Sequence, residues 1–192
     1  MLNPKTIMPA VILCVICLIT TGLLSLTYEL TREERDRQAE IAANANRLAL
    51  FPEATAFDEI DALDAPLPDG LLEATQAKAS DGSLIGYLFL GTKRGYGGQV
   101  PVMVAIDPAG IIVGVRVLSN EETPGLGKKV EQNAFLRQFV NQETDKQFAL
   151  KVENSQQLPI DAVSGATISS RAVTESVNIA IRFFQDLNKE EQ

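Results

Sequence analysis

Four hydroxyl side chains fall within seven positions at Ser164, Thr167, Ser169 and Ser170, inside the run DAVSGATISS that starts at Asp161. Gly165 and Ala166 leave the backbone between them uncovered. Val173, Val177, Ala180, Ile181 and Phe184 follow at spacings of three and four, which predicts an amphipathic helix over 168–187. Thr167 therefore stands where a helix begins. A helix start offers unpaired N–H groups and the positive end of the dipole, so it can hold a phosphate without lysine or arginine. Gly165 lets the backbone approach such a group closely. The plainer reading is N-capping by Ser164 or Thr167, which contributes ~1 kcal/mol. Neither completes a capping box, because the residue three positions on is Thr167 or Ser170 rather than Glu or Gln.

Two glycine-rich loops precede this stretch. Gly91–Gly98, GTKRGYGG, reads as a turn-forming loop, with GYGG at 95–98. Asn120–Gly127, NEETPGLG, sets two adjacent acids beside one proline and two glycines, which makes a shaped connection between a strand and a helix. Glu121 and Glu122 take no acid–base assignment from sequence, since nothing in it locates a substrate.

The composition excludes several chemistries. The chain has 192 residues and no histidine, which removes the commonest general base and every Ser-His or Cys-His nucleophile. Its two cysteines, Cys14 and Cys17, lie in the first apolar run, so the rest of the chain forms no disulfide or thiolate metal site. The net charge is −8. Lys5 is the only charged side chain before Glu29, so 16 basic residues face 25 acidic ones over 29–192. Such a surface repels phosphate backbones, and no nucleic-acid partner is expected.

The elements that must position the hydroxyls follow from patterning. Residues 6–28 carry no charge, and 23 helical residues reach ~35 Å, enough to cross a lipid bilayer core of ~30 Å. The run exceeds the ~7–15 residues of a signal-peptide apolar region and no A-x-A-like site follows, which favours an uncleaved transmembrane anchor after a short N-terminus at 1–5. Residues 29–50 continue as a charged helical stalk, and the prolines and acids of 51–70 read as linker. Strands are expected at 72–79 and 84–90 as one hairpin, at 101–106 and 111–118 as a second, and at 146–152. A helix is expected over 128–140, with Val130, Ala134, Leu136 and Phe139 as a partial stripe. Antiparallel strands, then helix, strand and helix, define an α+β domain over 71–192.

Asp161, Ser164, Gly165, Ala166, Thr167 and Ser169, with Glu122–Gly127 and Gly95–Gly98 ahead of them in the same order, resemble the motifs of the FMN-binding domain family. The single N-terminal span and the length are similar to the G subunits of Rnf (Rsx) ion-translocating electron-transport complexes, and the resemblance covers nearly the whole chain. It implies an antiparallel-sheet FMN-binding domain packed with helices. It implies FMN joined through its phosphate to the Thr167 hydroxyl by a flavin transferase that uses FAD. Ser164, Gly165, Ala166, Ser169 and Ser170 would then surround the phosphate, and Glu122, Thr123, Leu126, Gly127 and Tyr96 the flavin ring. It further implies an electron-carrying subunit among other membrane and peripheral subunits, in a complex that couples NADH–ferredoxin electron transfer to Na⁺ or H⁺ translocation. The expected location is the bacterial inner membrane, with the domain in the periplasm, although the Lys and Arg count across the span alone would place it in the cytoplasm. Relatives often carry a histidine just before the E-T-P-G-L-G loop, where this chain has Asn120-Glu121. Two alternatives share these features in part: the C subunit of a sodium-translocating NADH:quinone reductase, which is a longer chain, and an anchored interaction module without cofactor.

Overall fold

The computed structural model describes residues 4–60, 67–118 and 120–190. They divide into two compact units, Met1–Ala45 and Asn46–Gln192. The first unit is helical. Helix α1 runs Pro4–Leu30, and α2, Arg32–Leu50, begins in this unit and ends in the second. Within α1, Val11–Leu30 is long and apolar enough to cross a membrane. Its Leu, Ile and Val side chains are exposed (Leu18 69%, Leu24 72%), so nothing among the described residues covers them. Thr20 and Thr27 return their hydroxyls to the carbonyls of Ile16 and Leu23, at 2.9 and 2.8 Å, which turns these two hydroxyl protons away from apolar surroundings. Past Thr31 the composition turns charged, and Arg37 lies 3.9 Å from Glu34 with both exposed, a pair that adds little.

The second unit is an α+β domain. Its sheet is an antiparallel meander of β1 (Ala56–Glu59), β2 (Leu71–Lys78), β3 (Leu84–Arg94), β4 (Gln99–Ile106) and β5 (Ile112–Val117), in that order. Two features depart from the sequence expectation. The segment 56–59, read as linker, pairs with β2 from Ala56↔Lys78 to Glu59↔Thr75. Strand β3 continues through 91–94, read as loop, because Gly91, Thr92, Lys93 and Arg94 find partners in Val102, Pro101, Val100 and Gln99. Pro101 sits at a register position where its carbonyl still accepts from Leu118 N at 2.9 Å.

The strand period of two sorts the side chains onto two faces. On one face Tyr87, Phe89, Val102, Val104, Ile106, Val115 and Val117 join the core that also takes in the long last helix, α4 (Thr167–Glu190). Its predicted stripe, Val173, Val177, Ala180, Ile181 and Phe184, is buried there. Phe89 packs edge-on to Phe183 at 5.6 Å and Tyr87 to Phe184 at 5.5 Å. On the other face Ala77, Leu88, Met103 and Ala105 are covered by Phe51, Ala54 and Leu50 at the end of α2. Arg47, one turn earlier, meets Glu73 on β2 at 2.5 Å, both largely buried.

The expected helix over 128–140 is broken. Gly127–Glu131 is a 3-10 turn and α3 is only Asn133–Leu136, interrupted at Gln132, whose extended backbone (ψ 142°) ends the first and starts the second. The stripe still buries Val130, Leu136 and Phe139, whereas Ala134, expected in it, is exposed because the break at Gln132 changes the helical phase. Strands β6 (Gln147–Ala149) and β7 (Gln157–Pro159) form a small parallel pair that sequence patterning resolves only at β6. Asn178 of α4 holds β6 in place by bonding both the N–H and the C=O of Phe148, each at 2.8 Å.

Candidate functional site

Three loops converge at the N-terminus of α4: 95–98, which returns β3 into β4; 120–127, after β5; and 161–166. Glu122, a side chain only 1% exposed, joins the first two of these loops to the helix. Its N–H donates to Asn120 Oδ1 at 3.0 Å. Its Oε1 accepts from Gly97 N at 3.1 Å, and its Oε2 accepts from Ser169 Oγ at 2.6 Å. One carboxylate thus ties the 95–98 loop and the first turn of α4 to its own loop. The glycines around it are shaped by that carboxylate. A Cβ on Gly127 would lie 2.6 Å from Oε2 and 3.0 Å from Ser169 Oγ, and one on Gly95 would overlap Oε1. Asn120 is the strut behind it. Its Nδ2 donates to Leu118 O at 3.1 Å and to Glu131 Oε1 at 2.7 Å.

The start of α4 is built without a hydroxyl cap. The Ala166 carbonyl accepts the first helical bond from Ser170 N at 2.9 Å, so Ala166 is the N-cap and Thr167 the first helical residue. Gly165 takes φ +76°, a left-handed turn that a side chain would strain, and Ala166 N closes that turn on Val163 O at 2.9 Å. Among the described residues no acceptor meets the N–H groups of Thr167, Ile168 and Ser169. The helix therefore presents open donors and its positive end to solvent.

A cleft of about 540 Å³ opens there, bounded by Tyr96, Glu122, Thr123, Leu126, Gly127 and residues 165–169. Its rim is apolar and exposed: Tyr96 at 73%, Leu126 at 43% and Ile168 at 53%. Among the described residues lining it, Glu122 carries the only charge. The four hydroxyls separate by position. Ser170 is fully buried, donating to Ala166 O at 2.9 Å and accepting from Val163 N at 3.0 Å, so it is consumed in holding the 161–166 loop on the helix. Ser169 is buried and committed to Glu122. Ser164 is exposed but does not line the cleft. Thr167 is exposed and does.

Of the residues singled out from sequence, Tyr96, Glu122, Thr123, Leu126, Gly127, Gly165, Ala166, Thr167 and Ser169 stand together around this cleft, while Ser164 and Ser170 lie outside its lining. Sequence reasoning left Ile168 out of the site and kept Gly95 and Asn120 only as members of their loops. Ile168 falls outside the apolar stripe of its helix, which was the available signal for it. No sequence signal marks Asn120 as the strut of Glu122, because the bond depends on where Glu131 returns.

The cleft suits a flavin mononucleotide. Its volume lies within the ~300–1,000 Å³ of small-molecule sites. The open amides of α4 match a phosphate, the apolar rim matches a planar aromatic ring, and Gly165 and Gly127 leave the backbone bare between the two ends. Fold and cleft together define an FMN-binding domain, and residues 95–182 match the FMN-binding domain family. Residues 1–51 match the RnfG N-terminal region. The chain is 32% identical over 93% of its length to the G subunit of the Na(+)-translocating ferredoxin:NAD(+) oxidoreductase complex of Acetobacterium woodii, covering 91% of that protein. It is 28% identical over 94% of its length to the G subunit of the ion-translocating oxidoreductase complex of Aliivibrio fischeri, again covering 91% of it. The chain belongs to the family of G subunits of ion-translocating oxidoreductase complexes. The crystal structure of Shewanella oneidensis NqrC overlays 56% of this chain and 54% of its own, at 23% identity and a TM-score of 0.45.

Proposed function

We propose that this protein is the membrane-anchored flavin subunit of an Rnf-type complex, with FMN esterified to Thr167. Bound FMN supplies one- and two-electron redox chemistry, which suits a relay between redox centres in neighbouring subunits. The chain holds and orients the group. The open amides of Thr167–Ser169 receive the phosphate, and Tyr96, Leu126 and Ile168 exclude water from the ring. The complex couples electron transfer between ferredoxin and NAD to Na⁺ or H⁺ translocation: the name of the Acetobacterium relative describes Na(+) translocation for that protein, and that of a Clostridium ljungdahlii relative describes proton translocation for its own.

The observation that carries this reading is the sorting of the hydroxyls: of the four in the SGATISS run, only Thr167 is both exposed and in the cleft. Electrostatics support an ester over simple binding. A phosphate monoester dianion would face the Glu122 carboxylate with no basic side chain in the lining and only ~0.5 of a positive charge from the helix end. Esterification lowers the phosphate to one negative charge and makes retention independent of affinity. In that transfer Thr167 Oγ1 bonds to the FMN-side phosphorus of FAD, the phosphorus–oxygen bond to AMP breaks, AMP leaves and the hydroxyl proton is released. With no histidine in the chain and Glu122 engaged by Ser169, the base for this step comes from a separate flavin transferase. Helix α1 anchors the protein in the bilayer of the inner membrane, and the domain lies on the periplasmic side.

The test is mass spectrometry of the tryptic peptide Val152–Arg171 from protein produced with the transferase. An added FMN phosphoryl mass on Thr167 is expected. A Thr167→Ala protein is expected to lose all flavin fluorescence from the denatured band while melting within about 0.5 kcal/mol of the parent, as solvent-facing substitutions do. Flavin retained by that variant would sink the attachment site.

A further inference from the structure

Glu122 is unusual for its surroundings. It is 1% exposed, accepts one backbone and one hydroxyl hydrogen bond, and stands in the wall of a cleft whose other described lining residues carry no charge. Among the described residues no cation pairs with it, whereas the largely buried Glu73 is paired with Arg47. A buried carboxylate without a cation interacts strongly with any charge that appears nearby, because its burial limits screening by solvent. Its two hydrogen bonds and the glycines packed around it fix it in place, so it cannot turn away into water.

We propose that the Glu122 carboxylate lowers the reduction potential of a flavin held in this cleft, an inference that rests on the FMN reading above. Two electrons and one proton delivered from a reductant add one negative charge to a flavin ring. A fixed carboxylate in the cleft wall opposes that charge and so favours the oxidised form. Ser169 moderates the effect by donating its hydroxyl proton to Oε2.

The experiment uses the full-length protein, produced with the flavin transferase and titrated with dithionite against reference dyes, with bound flavin quantified in the denatured protein. Glu122→Gln, close in shape and uncharged, is expected to shift the oxidised-to-reduced equilibrium at least tenfold toward reduction, a rise of about 30 mV for a two-electron couple. Ser169→Ala keeps the carboxylate but strips its donor, and its potential is expected to fall. A flavin-loaded Glu122→Gln protein with an unmoved or lowered potential overturns the proposal. So does a Ser169→Ala potential at or above that of the parent, since a rise in both variants marks loosened packing rather than charge. Should Glu122→Gln load no flavin, Ser169→Ala decides by the same criterion. Parent protein without flavin overturns the functional reading and this inference together, whereas loaded variants with unmoved potentials overturn this inference alone.

Discussion

Glycines do opposite work in two regions of the domain. On the sheet face under the end of α2, Gly86 and Gly114 make room for hydrocarbon. A Cβ on Gly86 would strike the Phe51 ring, and one on Gly114 would lie 2.6 Å from Leu50 Cδ2. At the cleft, Gly95, Gly97 and Gly127 make room for a carboxylate and for backbone. The first region is energetically ordinary: Phe51, Ala54, Leu88, Met103 and Ala105 bury apolar surface, which the hydrophobic effect rewards whatever the detail. The second spends its packing on Glu122, Ser169, Ser170 and Asn120, polar groups whose burial is tolerable only because each is hydrogen-bonded. The contrast separates a region packed by hydrocarbon from one held by buried hydrogen bonds.

That separation can be broken by measurement. The largest expected effect is on the sheet face. Phe51→Ala should cost about 3 kcal/mol of stability, by loss of a buried ring, with no change in flavin content. Urea unfolding and flavin quantitation on the same sample check it, and a loss of flavin without a loss of stability would dissolve the distinction. Next is Gly97→Ala at the cleft. The new methyl would overlap the Glu121 carbonyl oxygen, so the two loops must separate, at about 1–3 kcal/mol. Here flavin content should drop together with stability, since the displaced Gly97 N–H is a partner of Glu122. The smallest effect belongs to neither region. In the β2–β3 turn, the Ser83 hydroxyl at 2.6 Å and the Ser83 N–H at 2.9 Å hold the Asp81 carboxyl below its ordinary range. A carboxyl lowered by folding contributes stability above its unfolded value and loses it as pH falls through the folded one. Ser83→Ala should return Asp81 toward the ordinary range in an NMR titration, leave flavin content untouched and leave the sheet face intact.

How much of this was legible in sequence differs by element. Long periodic segments read well: the apolar span, the charged helix after it, the α4 stripe and the two hairpins all stand where spacing placed them. Short or non-local elements did not. Strand β1 is four residues among prolines and acids, and only pairing with β2 makes it a strand. The continuation of β3 through a glycine-rich stretch likewise depends on β4 beside it. The helix expected over 128–140 satisfied its apolar period and still broke at Gln132, because burial of Val130 and Phe139 against the sheet edge outweighs the modest gain of an unbroken helix.

For the site, sequence alone determined the ingredients. The hydroxyl run, the bare glycines, the helix start and the absence of histidine are local facts of residue type and order. They exclude nucleophilic catalysis by a histidine-assisted group and leave two readings, anion holding and plain N-capping. Tertiary structure decided which hydroxyl is available. Ser164, Thr167, Ser169 and Ser170 are near-equivalent as letters. They differ because Glu122, 47 residues before Ser169, returns to take its hydrogen bond, and because Ser170 turns inward to the 161–166 loop. Hydrogen bonds across such separations follow from packing of the whole sheet against α4, and no local pattern encodes them.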